Sequence, residues 1–535
     1  MNTDAYLKFL GDYLAVLEPL SRDINIAYWN ASISGKEKDF NRYAALQVKL
    51  QKIHSDKRTF DKILTWKMDS TITDPITQRE IEILFNDFHR HQIDPKLDEK
   101  ITKLASSIEN QFNVHRARIN GSTVTNNEIL QILKRSDDPE YRRLAWQAGK
   151  ETGAVVHDDL ITLVKLRNEA ARALGYDTFY GMALDLAEQD ESGILDLFNE
   201  LESFTAAPYE QVKKDVDDVL AARFKIPPDS IRPWHYEDPF FQEAPRIYDV
   251  DLDKYYEGID ILRLVTDFYR SIGIQVEDIL ERSDLFEKPG KVQHAFCTDI
   301  DRRGDIRILA NVRNDETWTG TMLHELGHAV YIKHTDPSLP YLLREEAHIF
   351  TTEAVAMLFG RLSKDGNWIQ AGLGIPESEK EKIQPDLEKN ARLSQLVFAR
   401  WCQVMLRFER ELYRDPDQNL NDRWWQLVQR YQRITPPEDQ LATHWASKIH
   451  IVSAPVYYHN YMLGELLASQ LDVCLKTRIT GAAGGRMPSC DNFACGEYLK
   501  EKIFKIGARH RWDKMIGLAT GENLTPRYYI EQFVR

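Results

Sequence analysis

The sequence predicts a mostly α-helical protein with one short β-hairpin. Apolar residues recur at helical spacing along most of the chain, and one stretch alone alternates around a glycine-containing turn. No Pro/Gly/Ser linker, low-complexity run or internal repeat breaks the 535 residues, although that length ordinarily suggests two or more domains.

Tyr6, Phe9, Leu10, Tyr13, Leu14 and Leu17 share one face of an N-terminal helix. Ser136-Asp137-Asp138 before Pro139 reads as a helix start, where the missing proline N–H costs nothing. Leu160, Leu163, Val164, Leu166, Ala170 and Leu174 then line a face that ends at Gly175, a C-terminal cap. The hairpin comprises Val292 to Cys297, a polar turn at Asp301-Arg302-Arg303-Gly304-Asp305, and Ile306 to Val312. An edge strand there could hold an extended peptide by main-chain pairing; a purely structural hairpin has the same pattern.

The next helix carries the strongest chemical signal, His324-Glu325-Leu326-Gly327-His328. Residues four apart share a helix face, so both imidazoles can reach one metal ion while Glu325 stands beside them as a general base. Asn314-Asp315-Glu316 offers a cap, and Ala329, Val330 and Ile332 keep the helix apolar. Gly327 costs on the order of 1 kcal/mol relative to Ala in a helix, which implies a close approach to its backbone. A hydrolytic zinc needs three protein ligands and an open fourth position. A second helical stretch from Leu342 to Leu358 supplies the best third candidate, Glu353, embedded among Ala354, Val355, Ala356, Met357 and Leu358. A carboxylate there is costly to bury unless paired or metal-bound. Glu345 and Glu346 read as a solvated turn, and His348 as an ordinary core or surface histidine. Further on, Tyr458 and Tyr461 stand three apart on a helical stretch, a spacing that by default means core packing.

A formal charge of −14 and the absence of a concentrated basic surface exclude nucleic acid as a partner. No run approaches 18 apolar residues, so no transmembrane helix is expected, and the amphipathic N-terminus does not read as a signal peptide. The chain reads as soluble, either cytoplasmic or exported after loss of a leader, and as a monomer. Five cysteines do not form a disulfide framework, although Cys474, Cys490 and Cys495 are close enough in sequence for one bridge.

The zinc motif, Ala27-Tyr28-Trp29-Asn30, the run from Arg344 to Glu353, Arg423-Trp424-Trp425-Gln426-Leu427 with Tyr431-Gln432 and Pro436-Pro437, and Lys448-Ile449-His450-Ile451 together resemble the zinc peptidyl-dipeptidases of the angiotensin-converting enzyme type. Thimet oligopeptidase and oligoendopeptidase F are more distant relatives in this gluzincin pattern. The spacing from Arg344 to Glu353 agrees with the family's and supports Glu353 as the ligand.

The resemblance implies a single catalytic domain over residues 1–535, an ellipsoid with a deep central cleft. Residues of about 1–110 would form lid helices, and 290–470 the catalytic core. It implies one Zn²⁺ on His324, His328 and Glu353, with Glu325 as base and His450 and Tyr461 stabilising the tetrahedral intermediate. Lys448, Gln242 and Tyr458 would hold the substrate's C-terminal carboxylate, with Tyr457 as a rival to Tyr458. His294-Ala295 would pair with the peptide backbone.

Several positions depart from the family. Val428 and His459-Asn460 stand where chloride-binding arginines are expected, so chloride should not be required. Met357 replaces an aspartate that orients a zinc histidine, leaving the imidazoles to find another partner. Trp318 and Thr321 also differ from the family's pocket residues. The expected activity is release of C-terminal dipeptides from oligopeptides. A zinc endo-oligopeptidase is the alternative, and a non-catalytic peptide-binding protein a third reading that the intact His324, Glu325, His328 and Glu353 oppose.

Overall fold

The computed structural model describes residues 2–248, 250–438, 442–477 and 493–534. It is mostly helical, and the chain divides into two compact units, each assembled from separate stretches. The first comprises Met1–Gln92, Val250–Leu387 and Leu463–Tyr528; the second comprises Ile93–Asp249, Glu388–Met462 and Tyr529–Arg535. Among the described residues no helix is long and apolar enough to cross a membrane.

In the first unit the helix Asn2–Ser34 buries Tyr6, Leu10, Tyr13 and Leu17 against Phe60, Ile63, Trp66, Leu84 and Phe88. Each such side chain contributes roughly 1.5–3 kcal/mol of burial. The Tyr13 hydroxyl finds the ring of His54 at 3.0 Å, whereas the buried Tyr6 hydroxyl has no hydrogen-bond partner among the described residues. Farther along that helix, Tyr28 and Trp29 pack on Phe296, with centroids 5.2 and 6.3 Å away. This accounts for the Ala27-to-Asn30 block: it backs the hairpin.

In the second unit the helix Pro139–Ala173 begins as expected, with Asp138 accepting from the N–H groups of Glu140 and Tyr141; such a cap contributes about 1 kcal/mol. Gly175 follows its end at φ +91°. Arg142, fully buried on this helix, donates to the carbonyls of Trp234, His235 and Tyr236, each at 2.9 Å. One guanidinium thereby ties the helix to the segment leading to Gln242.

Two small antiparallel sheets are present rather than one. β1 (Ala117–Ile119) pairs with β2 (Ser122–Val124) around Asn120 and Gly121, both at positive φ. β3 (Phe296–Asp299) pairs with β4 (Ile306–Leu309), Phe296 facing Leu309 and Asp299 facing Ile306. The second hairpin is shorter than its sequence pattern. Val292 to Ala295 do not join the strand, because the carbonyls of Val292 and Gln293 accept from the Asn311 side chain instead.

The helical stretch expected from Leu342 to Leu358 is also interrupted. A 3₁₀ turn at Tyr341–Leu343 is followed by a break, and the α-helix runs from Ile349 to Gly360 with His348 as its cap. Of the expected cysteine cluster, Cys474 and Cys495 are free thiols, and Cys490 lies outside the described residues.

Candidate active site

The helix Glu316–Lys333 starts where Asp315 accepts from the N–H of Trp318 at 2.7 Å. It places Nε2 of His324 and of His328 3.2 Å apart. Oε2 of Glu353, from the helix Ile349–Gly360, lies 3.7 and 3.9 Å from them. All three donor atoms fall within 4.8 Å of one another. Burial lowers His324 to a pKa of about 4 and His328 to about 3, so both are held in the neutral form that binds metal. Two neutral imidazoles and a carboxylate are the donor set of a catalytic zinc with an open position. The rival third ligands are engaged elsewhere: Glu345 pairs with Arg302, and the His348 ring accepts from the N–H of Phe350.

Gly327 explains how the two ligand-bearing helices come so close. A Cβ there would lie 2.7 Å from Cα of Ala356, so the helices meet backbone to backbone. Gly464 does the same on the other side, where a Cβ would lie 3.2 Å from Cβ of Glu353.

The imidazole partner that sequence reasoning left unnamed is Thr352. Its buried hydroxyl lies 2.8 Å from Nδ1 of His328 and leaves Nε2 to face the other donors. Thr352→Val should therefore weaken zinc binding by ~10- to 100-fold, with Thr352→Ser near wild type, in a chelator-competition titration. Equal affinities for the valine and serine variants would remove this role. Met357, at the position of the missing acid, contributes bulk instead; its Sδ would lie 3.2 Å from a Cβ on Gly464. His324 also feels the negative charge of Glu465, which is paired with Arg361.

Glu325 is buried, and its carboxyl accepts from the backbone N–H of Cys297 in β3. Burial first, then the charge of Glu353, pushes its pKa up to about 8, and the Cys297 N–H acts in the opposite direction. On its other side β4 is occupied by the Asp284 segment, whose N–H donates to the carbonyl of Ile308 at 3.0 Å. The outer edge of β3 has no strand partner among the described residues. His294 is exposed and Ala295 partly buried, both just ahead of β3 rather than within it.

In the second unit the three expected clamp residues come together. Lys448 Nζ donates to Oε1 of Gln242 at 2.6 Å, and the Tyr458 hydroxyl lies 3.4 Å from the same oxygen. Lys448 is surrounded by the rings of Phe240, Trp401 and Tyr458 at 5.1 to 5.2 Å. Burial lowers its pKa to about 8, against the pull of Asp238. Gln242 itself is pinned by Asp238, which the sequence did not single out, and its segment by Gln432, which it did. The Asp238 carboxylate accepts from the N–H groups of Phe240, Gln242 and Glu243, and the Gln432 amide donates to the carbonyls of Phe240 and Phe241. Gln432 of the Tyr431-Gln432 pair thus helps fix the segment that carries Gln242.

His450 and Tyr461 flank Tyr458, with ring centroids 5.2 and 5.3 Å away. Burial lowers His450 to a pKa of about 4, and its Nδ1 has no hydrogen-bond partner among the described residues. Tyr458 is not helical as expected. The helix His459–Leu475 begins one residue later, after a kink at Val456. His459 and Asn460 both bond the Gln189 side chain, at 2.7 Å each. Val428 lines a cavity of about 20 Å³ with Trp146, Trp425, His444 and Lys150, whose pKa burial drives well below its usual value.

A family model described as "Angiotensin-converting enzyme", for the M2 peptidases, matches residues 1–214 and 242–530. Among curated proteins, the chain is 24% identical over 280 residues to angiotensin-converting enzyme of Rattus norvegicus, covering 50% of this chain and 21% of that protein. Against the protein of the same name from Mesocricetus auratus it is 25% identical over 276 residues, 49% of this chain and 20% of that one. The Bos taurus protein gives 23% over 310 residues, 55% and 23%. The aligned region spans about a fifth of the length of these relatives.

Proposed function

Because the chain belongs to the angiotensin-converting enzyme family of peptidases, we propose that it is a zinc-dependent peptidase releasing dipeptides from the C-termini of oligopeptides. The observation that carries the reading is a complete donor set, His324, His328 and Glu353, with a buried carboxylate, Glu325, beside it. The family match extends over both units, which supports reading residues 1–535 as one catalytic domain.

Zinc on those three residues would supply Lewis-acid chemistry, polarising the scissile carbonyl and making water a nucleophile at neutral pH. Glu325 would take the proton from the attacking water and deliver it to the leaving amine. From the resemblance, His450 and Tyr461 would donate to the oxyanion, where charge develops only during reaction. Because Glu325 already takes the Cys297 N–H on the outer edge of β3, it is His294-Ala295, just ahead of the strand, that would pair with the substrate backbone. Lys448, Gln242 and Tyr458 would receive the terminal carboxylate. Lys448 is a desolvated cation whose one hydrogen-bond acceptor among the described residues is a neutral amide oxygen, so a carboxylate would complete its coordination.

Mass spectrometry of products from an oligopeptide with a free C-terminus tests this. Peptides shortened two residues at a time are expected. Cleavage at internal bonds regardless of the terminus would make the protein an endo-oligopeptidase, and intact substrate in the presence of zinc would leave only peptide binding.

Chloride is not part of the proposed machinery. Neither expected place holds an arginine: Val428 occupies one, and His459 and Asn460 are already tied to Gln189. Turnover should stay constant when chloride is exchanged for acetate at fixed ionic strength. A severalfold loss on exchange would mean that an anion does take part.

A further inference from the structure

Val456 has φ +56°, in the left-handed region that a β-branched residue rarely adopts. It stands two residues before Tyr458 and three before the helix that carries Tyr461. Strain of this kind persists only where the surroundings over-determine it, and here they do. The N–H of Val456 donates to Oε1 of Glu409 at 2.7 Å, and Glu409 is buried on the long helix Glu377–Arg414. At the other end of the same short segment, Arg167 donates to the carbonyls of Ile451 at 3.0 Å and Val452 at 2.9 Å. Its guanidinium also reaches the Tyr413 hydroxyl at 3.0 Å, and neighbouring Asn168 donates to the Tyr413 carbonyl at 2.7 Å.

The stretch between His450 and Tyr458 is therefore gripped at both ends by buried ionisable side chains from two other helices. We infer that Glu409, with Arg167 gripping the other end of the segment, is a positioning residue: it holds the Val456 kink and so sets the directions of His450, Tyr458 and Tyr461. This rests on the roles proposed above for those three residues. A carboxylate is an expensive choice for so buried a place, since an apolar or amide side chain would avoid its desolvation. What it supplies is a short, charge-assisted acceptor for one N–H that the kink turns away from every helical partner. Burial pushes the Glu409 carboxyl up to about 7, while the Val456 N–H and then the charge of Arg167 act in the opposite direction.

A double-variant cycle separates this from a merely structural contact. Glu409→Gln, Val456→Gly and the combination are compared for kcat, KM and zinc content. Hydrogen exchange over residues 450–461 is followed in the same proteins. Displacing a catalytic group by about 1 Å can cost ~10² in rate, so Glu409→Gln should lower kcat/KM at least ~tenfold with zinc retained, and exchange near Val456 should quicken. Glycine adopts φ +56° without strain, so Val456→Gly in the Glu409→Gln background should recover most of that loss. Additive losses in the double variant, or unchanged exchange in Glu409→Gln, would overturn the inference. His450→Ala and Tyr461→Phe are run alongside. Should they keep full kcat, the roles assigned to those residues fail, while the exchange data still decide whether Glu409 holds the turn.

Discussion

Glu325→Ala is expected to keep its zinc and lose ~10² to 10⁴ in turnover, the usual cost of removing a general base. The expectation has two parts because the structure separates them. The donor atoms that converge belong to His324, His328 and Glu353, and Glu325 instead accepts from Cys297 in β3. Its carboxyl, at about 8 without a metal, would be brought down by a bound dication, since the nearest large charge sets local protonation. Below its folded pKa the group is protonated and cannot accept a proton, so activity should fall as pH drops and the limb should vanish in the variant. Elemental analysis together with steady-state assays decides it. Retained turnover with zinc bound would remove Glu325 from the mechanism.

Amidating the substrate's C-terminus should lower kcat/KM by about ten- to a hundredfold, from the roughly 1.5 to 3 kcal/mol of a hydrogen bond to a charged group. Lys448 is buried among aromatic rings, so without a carboxylate it keeps only the amide oxygen of Gln242. Lys448→Met should erase most of the discrimination by slowing the free peptide towards the amidated one. The preference should also shrink above pH about 8, where the unliganded lysine loses its proton. Equal kcat/KM for the two peptides in wild type would dissolve the clamp and, with it, the dipeptidase reading.

What was legible in the sequence was mostly local. The i, i+4 histidines, the Asp315 and Asp138 caps and the apolar neighbours of Glu353 all lie within one or two turns, where side-chain geometry follows from helix periodicity alone. The contact between Gln242 and Lys448 needed more, because they are 206 residues apart, and only the resemblance joined them. Thr352 escaped because a threonine inside a helix carries no distinguishing pattern until the imbalance of His328 is seen from the other helix. The β1–β2 hairpin had a readable signal, Asn120-Gly121, which favours the positive φ values both adopt, but its flanking strands of three residues are too short to alternate convincingly. Tyr458 reads as helical because periodicity cannot register a kink held by Glu409, 47 residues away in sequence.

The contact at Gly327 gives the two ligand helices an unusual mechanical property. Because a Cβ at Gly327 would lie 2.7 Å from Cα of Ala356, the glycine lets them pack backbone to backbone, and loosening that contact would draw Glu353 away from the histidines. An ion held by His324, His328 and Glu353 would resist that motion. By mass action its binding free energy becomes clamping energy for the helix pair, about 4 kcal/mol at a thousandfold excess over Kd. The same glycine that permits assembly of the donor set therefore makes it a strain gauge, in which resistance of this helix pair to opening tracks the free zinc concentration.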